Sequence, residues 1–388
     1  MSADVKRDLL KWRNATGEGT EEFRRLLDTM SYADYLEKTL LLRPEVTTFV
    51  TPIVGLINGA SPDAVSAFAA HQIGMPGVSR PRDRSGPLPQ SFPGGNATYA
   101  RQLVKHLIPN AIAGARTFED VLAGRVNFAA LDRSGQATRI RLGATVVRVE
   151  HRSAGDVAIA FERGGKIYRV RGRAVVMASG GWINKHVVAD LPADIRTAYG
   201  EFQYAPALVI NVALTNWRFL YRLSAPACRW FDDGFGFSCN IRRPMIAGAY
   251  HPPLHPDRPT VLTFYMGLYS PGRSASEQGM LGRTKLLASS YADVESQLLG
   301  RMEHLFADAG FSAERDVAGV ILNRWGHARL VQPPGWYYGR DGKPAAREIV
   351  QQGFGRIAIG HSELNGHQSV TGALAQGKRA AEQVLALG

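Results

Sequence analysis

Near the end of the chain, the residues best suited to chemistry follow a short apolar run. In "RIAIGHSELNGHQSVTG", residues 356–372, Glu363 comes just after the run, and Gly372 falls in the predicted first turn of a helix. A helix N-terminus carries unpaired N–H donors and about half a positive charge, so it stabilises anions. A glycine there lets a ligand approach the backbone. The segment predicts a corner that faces an anionic cofactor; the alternative is a packing helix with incidental glycines.

Aromatic and imidazole side chains come together in "NRWGHARL", residues 323–330. An indole such as Trp325 can hold an alkylammonium against its face, and the imidazole of His327 can exchange a proton near neutral pH. Asn211, in "VINVAL", is a polar side chain on a predicted strand. We interpret these three residues as candidates for binding and activating a substrate. The alternatives are a core histidine with satisfied hydrogen bonds and an asparagine on the solvent face of a strand.

The strands that would position these residues are indicated by alternation or by β-branched runs. "RIAIG" predicts a short buried parallel strand directly before Glu363. "ALVINVALTNW", which contains Asn211, and "PTVLTFYMGLY" predict two more strands. Three further strands are predicted from consecutive segments: "TRIRLGATVVRVEHR", "DVAIAFERGG" and "KIYRVRGRAVVMASGG".

Capping residues and helical spacing mark the helices. Thr20 and Ser31 are predicted N-caps. "LLASSYADVESQLLGRMEHLFADAG" predicts one long helix that ends at Gly310. The closing helix is predicted to begin near Ser369. Its predicted packing face comprises Val370, Leu374, Gly377, Ala381 and Val384.

The composition is that of an ordinary globular protein. The 388 residues are 45% hydrophobic and 21% charged, and they carry a net charge of +12. No basic run is interleaved with aromatic residues, so we expect an anionic cofactor or an acidic second chain rather than nucleic acid.

The two cysteines and ten histidines show no metal-ligand spacing, so no metal site is predicted. No apolar run approaches the ~20 residues of a membrane span, and the start lacks a signal peptide, so a cytoplasmic location is expected.

Six motifs in order resemble the FAD-dependent spermidine dehydrogenases of the flavin amine oxidase superfamily. They run from about residue 31 to the end of the chain: "SYADYL", "FPGGNATYARQLVKHLIP", "RIRLGATVVRVEH", "ALVINVALTNW", "NRWGHARL" and "FGRIAIGHSE". The resemblance implies a mixed α/β fold of the glutathione-reductase-like FAD/NAD(P)-binding type with an interleaved substrate domain. It also implies FAD as cofactor and oxidation of a polyamine-like amine by hydride transfer to the flavin.

The resemblance also implies which residues contact FAD. Glu363 holds the place of the acidic residue that bonds the ribityl hydroxyls. The backbone near Val370 and Gly372 would face the pyrimidine end of the ring. Val146 matches the strand residue whose backbone holds the adenine. Two residues after the strand "VVM", Ala178 and Ser179, would lie near the nucleotide.

On the substrate side, Asn211 stands where classical amine oxidases keep a lysine near the flavin N5, and Trp325 and His327 match a Trp-x-His pair near the substrate pocket. A polycationic substrate would need carboxylates nearby in so basic a chain. Candidates are Glu201, Asp232 and Asp233, but no pattern places them together.

One expected motif is not found in these 388 residues. The family binds the FAD pyrophosphate with a strand–GxGxxG–helix unit. The only similar pattern, at Gly353, Gly355 and Ala358, precedes a strand instead of linking a strand to a helix. The sequence therefore predicts a chain that is N-terminally incomplete relative to the family. An alternative function follows, a non-catalytic subunit or fragment that needs a partner chain carrying this unit.

Loss of the pyrophosphate site would remove charge-assisted hydrogen bonds of about 1.5–3 kcal/mol each. We therefore expect these 388 residues alone to purify nearly colourless.

Four segments are predicted: a helical substrate-side segment (1–96), an FAD-domain segment (97–181), a substrate domain (182–345) and a closing FAD-domain strand and helix (346–388).

Overall fold

A computed structural model describes residues 1–80, 91–153, 155–231, 235–241, 245–252 and 254–388. Its helices are α1 Ala3–Asn14, α2 Glu21–Asp28, α3 Tyr32–Asp34, α4 Pro44–Asn58, α5 Ala67–Gln72, α6 Ala97–Leu107, α7 Phe118–Ala123, α8 Gly181–Val187, α9 Ala193–Gly200, α10 Arg218–Arg222, α11 Ala275–Ala288, α12 Tyr291–Phe306, α13 Ala313–Asp316, α14 Ala346–Gln351 and α15 Val370–Leu385. Its strands are β1 Thr145–Ser153, β2 Asp156–Arg163, β3 Lys166–Gly172, β4 Val175–Met177, β5 Gln203–Leu214, β6 Ala227–Arg229, β7 Ser238–Ile241, β8 Thr260–Gly267, β9 Val317–Val331 and β10 Ile357–Ile359.

The strands form three sheets. β1, β2 and β3 make an antiparallel meander, and β10 pairs with β4 in parallel. The third sheet is antiparallel, with the order β6-β7-β8-β5-β9. The segment "RIAIG" is therefore a buried parallel strand, as predicted, since all three residues of β10 are buried and pair in parallel with β4.

The closing helix α15 packs against β10 and β4, but not through the predicted face. Its buried residues are Gly372, Gln376 and Ala380, whereas Val370 and Leu374 are exposed. Gly377 has no neighbouring atom within 4 Å of where a side chain would begin, so the prediction that it allows tight packing is wrong. Gly360, directly after β10, has that role: a Cβ there would lie 2.9 Å from the Cβ of Ala380.

The predicted long helix is interrupted: its first three residues, 286–288, are the end of α11, and α12 begins only at Tyr291. Ser290 forms a capping box with Asp293 at the start of α12, and Ser289 before it is extended. A serine pair competes with helical hydrogen bonding, so it breaks a pattern that is otherwise continuous. Gly310 follows α12 and its short 3₁₀ turn in the left-handed conformation, as predicted. Thr20 and Ser31 cap α2 and α3, also as predicted.

Two large cores hold the fold together. One joins side chains of the first 80 residues to residues between 149 and 205 and between 330 and 364. The other lies between the five-stranded sheet and helices α10, α11 and α12. One face of β5 is buried in the second core, which leaves the alternate residues, including Asn211, on the opposite and more open face. The division into four segments stays a prediction.

Asp28 joins the first part of the chain to residues 337–338. Its carboxylate is 2% exposed and accepts hydrogen bonds from the backbone N–H groups of Tyr337 and Tyr338, each at 2.9 Å, and from the hydroxyl of Ser66 at 2.8 Å. Asp28→Ala would leave these donors without their acceptor. We expect the free energy of unfolding to fall by on the order of 3 kcal/mol. The exposed control Asp308→Ala should change it by less than about 0.5 kcal/mol in urea unfolding. A similar small change for Asp28→Ala would contradict this role.

Candidate functional site

Glu363 lies in a 3₁₀ turn, Ser362–Asn365, directly after β10. Its side chain is 4% exposed. Oε2 accepts hydrogen bonds from the backbone N–H of Gly181 at 2.9 Å and from the hydroxyl of Tyr204 at 3.1 Å. Nδ1 of His361 lies 3.5 Å from Oε1. The carboxylate is therefore fixed where the closing strand, the start of α8 and the start of β5 meet.

The loop between β4 and α8 is shaped to fit this carboxylate. A Cβ at Gly180 would lie 3.1 Å from Oε1 of Glu363, and a Cβ at Gly181 would lie 2.7 Å from the ring of Tyr199. The hydroxyl of Ser179 donates to Oδ1 of Asn184 at 2.5 Å, and Nδ2 of Asn184 donates back to the carbonyl of Ser179 at 2.9 Å. Only glycines fit at positions 180 and 181, and the Ser179–Asn184 pair holds the loop in place.

The pairing of β4 with β10 brings the loop that contains Ala178 and Ser179 to the same edge as the Glu363 turn. Parallel strands end at the same edge of their sheet, so the loops after them meet. Ala178 is exposed and Ser179 is half-buried at this edge.

The N-terminus of α15 is close in sequence to Glu363. Ser369 caps the helix by accepting from the N–H of Gly372 at 3.0 Å. A Cβ at Gly372 would lie 3.1 Å from the side chain of Asn365, so the space beside this glycine is filled by the protein itself. Val370, 38% exposed, presents the open part of the helix start.

His327 reaches the same corner from β9. Its ring stacks on Trp182, with centroids 4.1 Å apart and planes within 5°, and it meets the edge of Tyr204 at 5.7 Å. Burial lowers the pKa of His327, and the charges of Arg283 and Lys185 lower it further against the opposing effect of Glu363. The imidazole is therefore neutral at neutral pH, when it can accept a proton.

Sequence reasoning missed two members of this group, Trp182 and Tyr204. Trp182 follows the glycine pair in "ASGGW", so a tryptophan beside a predicted nucleotide loop was the available signal. No sequence feature distinguishes Tyr204 from an ordinary aromatic residue on a strand. Its role depends on β5 passing beside Glu363, a long-range contact.

Asn211 lies elsewhere on the five-stranded sheet. It accepts a hydrogen bond from the hydroxyl of Thr263 at 3.0 Å, and both line a cavity of about 510 Å³ with Val209, Tyr265 and residues 91–95. Trp325 is opposite Ala207, on the same sheet face as Asn211 but four residues away, or about 13 Å along the strand. Trp325 is 58% exposed. The structure thus brings His327 to the Glu363 corner. Asn211 lies in a different cavity, which neither Trp325 nor His327 lines.

Val146 lies on β1, opposite Phe161, and is 40% exposed. The same strand is joined to the closing segment by His151. Nδ1 of His151 lies 2.7 Å from Asp190, and Nε2 accepts from the backbone N–H of Arg356 at 2.9 Å. This places β1 against the turn before β10. Contact of Val146 with adenine stays a prediction.

These residues fit a flavin. Glu363 keeps acceptor positions on Oε1 for hydroxyl donors, since a carboxylate offers about four lone-pair sites. The indole of Trp182 is a flat surface that is partly open, and the start of α15 is exposed at Val370. Within the part of the chain that the structure describes, no group of acidic, histidine or cysteine side chains could hold a metal ion. Nor does any helix there have the length and hydropathy to cross a bilayer.

Comparison with known proteins agrees with this geometry. Residues 117–385 match the family model described as flavin containing amine oxidoreductase. No curated protein sequence matches the chain. The fold is shared with cyclohexylamine oxidase from Brevibacterium oxydans IH-35A, at 14% identity over 98% of this chain and 73% of that one, with a TM-score of 0.57. It is also shared with wild-type putrescine oxidase bound to putrescine, at 14% identity over 100% and 76% of the two chains, with a TM-score of 0.59. The predicted mixed α/β fold of FAD-dependent amine oxidases is confirmed.

Proposed function

The chain belongs to the flavin containing amine oxidoreductase family, whose model matches more than half of its length, and from this premise we propose that it is an FAD-dependent enzyme that oxidises a small amine. The observation that carries the proposal is the corner at Glu363. There a buried carboxylate, a helix N-terminus and a stacked indole–imidazole pair meet within one family-matched region.

The residues that would hold FAD come from four segments. Glu363 would accept hydrogen bonds from the ribityl hydroxyls, and the exposed start of α15 at Val370 would face the ring. Gly372 is buried, donates its N–H to Ser369 and is covered by Asn365, so the expectation that a ligand approaches this glycine is wrong. Ala178 and Ser179 would lie beside the nucleotide, and the backbone at Val146 would hold the adenine. When bound, FAD supplies the acceptor for the hydride that leaves the amine carbon.

The chain's own residues would prepare the amine. Hydride loss requires a neutral amine, and an alkylammonium has a pKa near 10. The neutral imidazole of His327 would accept a proton from the ammonium. Trp325 would hold the alkyl part against its face.

We further propose that the substrate is a polyamine-like diamine with one reacting end and one distal ammonium, as in the spermidine dehydrogenase-like branch. The fold match to putrescine oxidase supports this choice. Arg283 and Lys185 act on His327, so the distal charge must lie away from that corner. Of the carboxylates suggested for it, Glu201 is exposed beside β5, while Asp232 and Asp233 lie outside the described residues.

A substrate comparison tests the proposal. With FAD and an artificial electron acceptor added, putrescine and spermidine should give aldehyde, with kcat/KM at least about tenfold above that of cyclohexylamine, since the distal ammonium adds at least one charged contact. If kcat/KM were higher for cyclohexylamine than for putrescine and spermidine, the polyamine proposal would be wrong, but amine oxidation would stand. No turnover of any amine by FAD-bound protein would overturn the enzymatic proposal.

The second candidate function is a non-catalytic subunit that acts with a partner chain. It is favoured by one observation, that the 388 residues contain no strand–GxGxxG–helix segment. If this candidate is right, amine oxidation should appear only when a chain carrying such a segment is co-expressed.

A further inference from the structure

A second cavity, of about 620 Å³, lies on the β1–β2–β3 meander, away from the Glu363 corner. We name it the basic cavity. Its floor is one face of the β2–β3 hairpin, where Phe161 is opposite Tyr168 and Arg163 is opposite Lys166. The loop before β1 contributes the other wall. The residues of this second wall are Asp132, Arg139 and Arg141. Its volume is in the range of cavities that bind small molecules.

The charge in the basic cavity is strongly unbalanced. Asp132 accepts from Nε of Arg139 at 2.7 Å and from Nε of Arg141 at 2.9 Å, and Nη1 of Arg163 lies 3.5 Å away. One carboxylate therefore serves three guanidinium groups. Among the described residues, Lys166 has no carboxylate within ion-pair distance. With Arg169, which also lines the cavity, five cations against one carboxylate leave an excess of four positive charges in a single cavity.

The nearest other acid does not relieve this excess. Glu162 lies on β2 next to Arg163, but successive strand residues point to opposite faces. Its carboxylate accepts instead from the backbone N–H of Gly165 in the hairpin turn, at 2.6 Å. The guanidinium groups and the ammonium thus face the cavity without a second anion. Such a group of donors matches phosphate oxygens.

The floor of the basic cavity adds an aromatic surface. The rings of Phe161 and Tyr168 are stacked, with centroids 5.5 Å apart and planes 20° apart, and the guanidinium of Arg141 lies 5.3 Å from the Phe161 centroid. Phe161 is buried by these neighbours, whereas Tyr168 is 46% exposed. An open tyrosine ring beside excess positive charge matches a planar base attached to phosphates.

We propose that the basic cavity binds a nucleoside di- or triphosphate, with its phosphates against Arg163 and Lys166 and its base against Tyr168. This site is separate from the Glu363 corner; its floor residue Phe161 lies opposite Val146, the strand residue proposed for the FAD adenine, so ATP binding is measured both without and with FAD. It does not depend on amine oxidation, and it gives the +12 chain a second anionic ligand. The guanidinium groups that Asp132 already orients need little reordering on binding, which favours affinity.

Calorimetric titration with ATP, first without FAD and then with saturating FAD, tests the proposal. Wild-type protein should bind ATP at one site, and adenosine should show no measurable binding. The double variant Arg163→Gln/Lys166→Gln should bind ATP at least about tenfold more weakly, because both lose charge-assisted contacts. These two residues flank the exposed turn at the hairpin tip, so the fold should be retained; an unchanged thermal unfolding midpoint checks this.

A matched control removes the same charge elsewhere. Lys6→Gln/Arg13→Gln, on the exposed side of α1, should leave ATP affinity within about twofold. Tyr168→Ala should weaken the binding of ATP by about tenfold and leave the binding of inorganic tripolyphosphate unchanged. Equal ATP affinity in all variants would overturn the site. Loss of ATP binding when FAD is added would show that both ligands share one site, and equal effects of Tyr168→Ala on ATP and tripolyphosphate would overturn the assignment of the base.

Discussion

Replacing His327 by glutamine is expected to lower kcat/KM for amine oxidation by about 10²- to 10⁴-fold, the range that a positioned general base contributes. Glutamine can replace the polar contacts of the imidazole but cannot take a proton. FAD affinity should change little, because His327 touches Trp182 and Tyr204 and not the carboxylate that would hold the ribityl chain. His304→Gln, on the exposed side of α12, is the matched control and should retain full activity.

The pH profile separates a proton acceptor from a residue that only packs. Because burial and neighbouring positive charges lower the pKa of His327, its neutral form persists to below the ordinary value of 6.5. Wild-type kcat/KM should therefore fall only as pH decreases through that lowered pKa. His327→Gln should lose this acid limb and keep any alkaline limb that belongs to the substrate. If the pH profile of the variant kept the same acid limb, that limb would report another titrating group and not His327.

Replacing Glu363 by alanine is expected to weaken FAD binding by about 10²- to 10⁴-fold if two charge-assisted hydrogen bonds of ~1.5–3 kcal/mol are lost. The carboxylate also receives the N–H of Gly181 and the hydroxyl of Tyr204, so the loop that would surround the nucleotide loses its support. Flavin fluorescence during titration with FAD measures the affinity.

Two comparisons make the Glu363 prediction specific. Glu363→Gln keeps the shape and an oxygen for Gly181, so the loss that remains reports the charge. Glu382→Ala, on the exposed side of the same closing helix, removes a carboxylate that only pairs with Lys378 and should not alter FAD affinity. If Glu363→Ala bound FAD as tightly as wild type, the carboxylate would not be part of the FAD site.

Local patterns predicted the parts of the site that depend on local structure. The apolar run before Glu363 is a buried parallel strand, and the loop after its partner β4 gives the backbone N–H of Gly181 to Glu363. The two caps at Thr20 and Ser31 also follow from local hydrogen bonding. Each of these features is encoded within a few residues.

Features that depend on tertiary packing were not predicted. The apolar stripe of α15 suggested packing through Val370 and Leu374, but the helix instead buries Gly372, Gln376 and Ala380. Small side chains allow closer approach to Gly360, and Arg379 can then donate to the carbonyl of Gln351 at 2.6 Å. Periodicity identifies a face without showing which face a neighbouring strand will cover. The stacking of His327 on Trp182 likewise joins segments that are far apart in sequence.

The central claim is that FAD at the Glu363 corner accepts hydride from an amine, and its most direct test is an anaerobic mixing experiment. Protein saturated with FAD is mixed with putrescine in the absence of oxygen, and the absorbance of oxidised flavin is followed in time. The account predicts bleaching of that absorbance in step with formation of aldehyde, at a rate reduced by about 10² or more in His327→Gln. Flavin that stays oxidised in the wild-type protein, although bound and in contact with excess putrescine, spermidine and cyclohexylamine in turn, would contradict it.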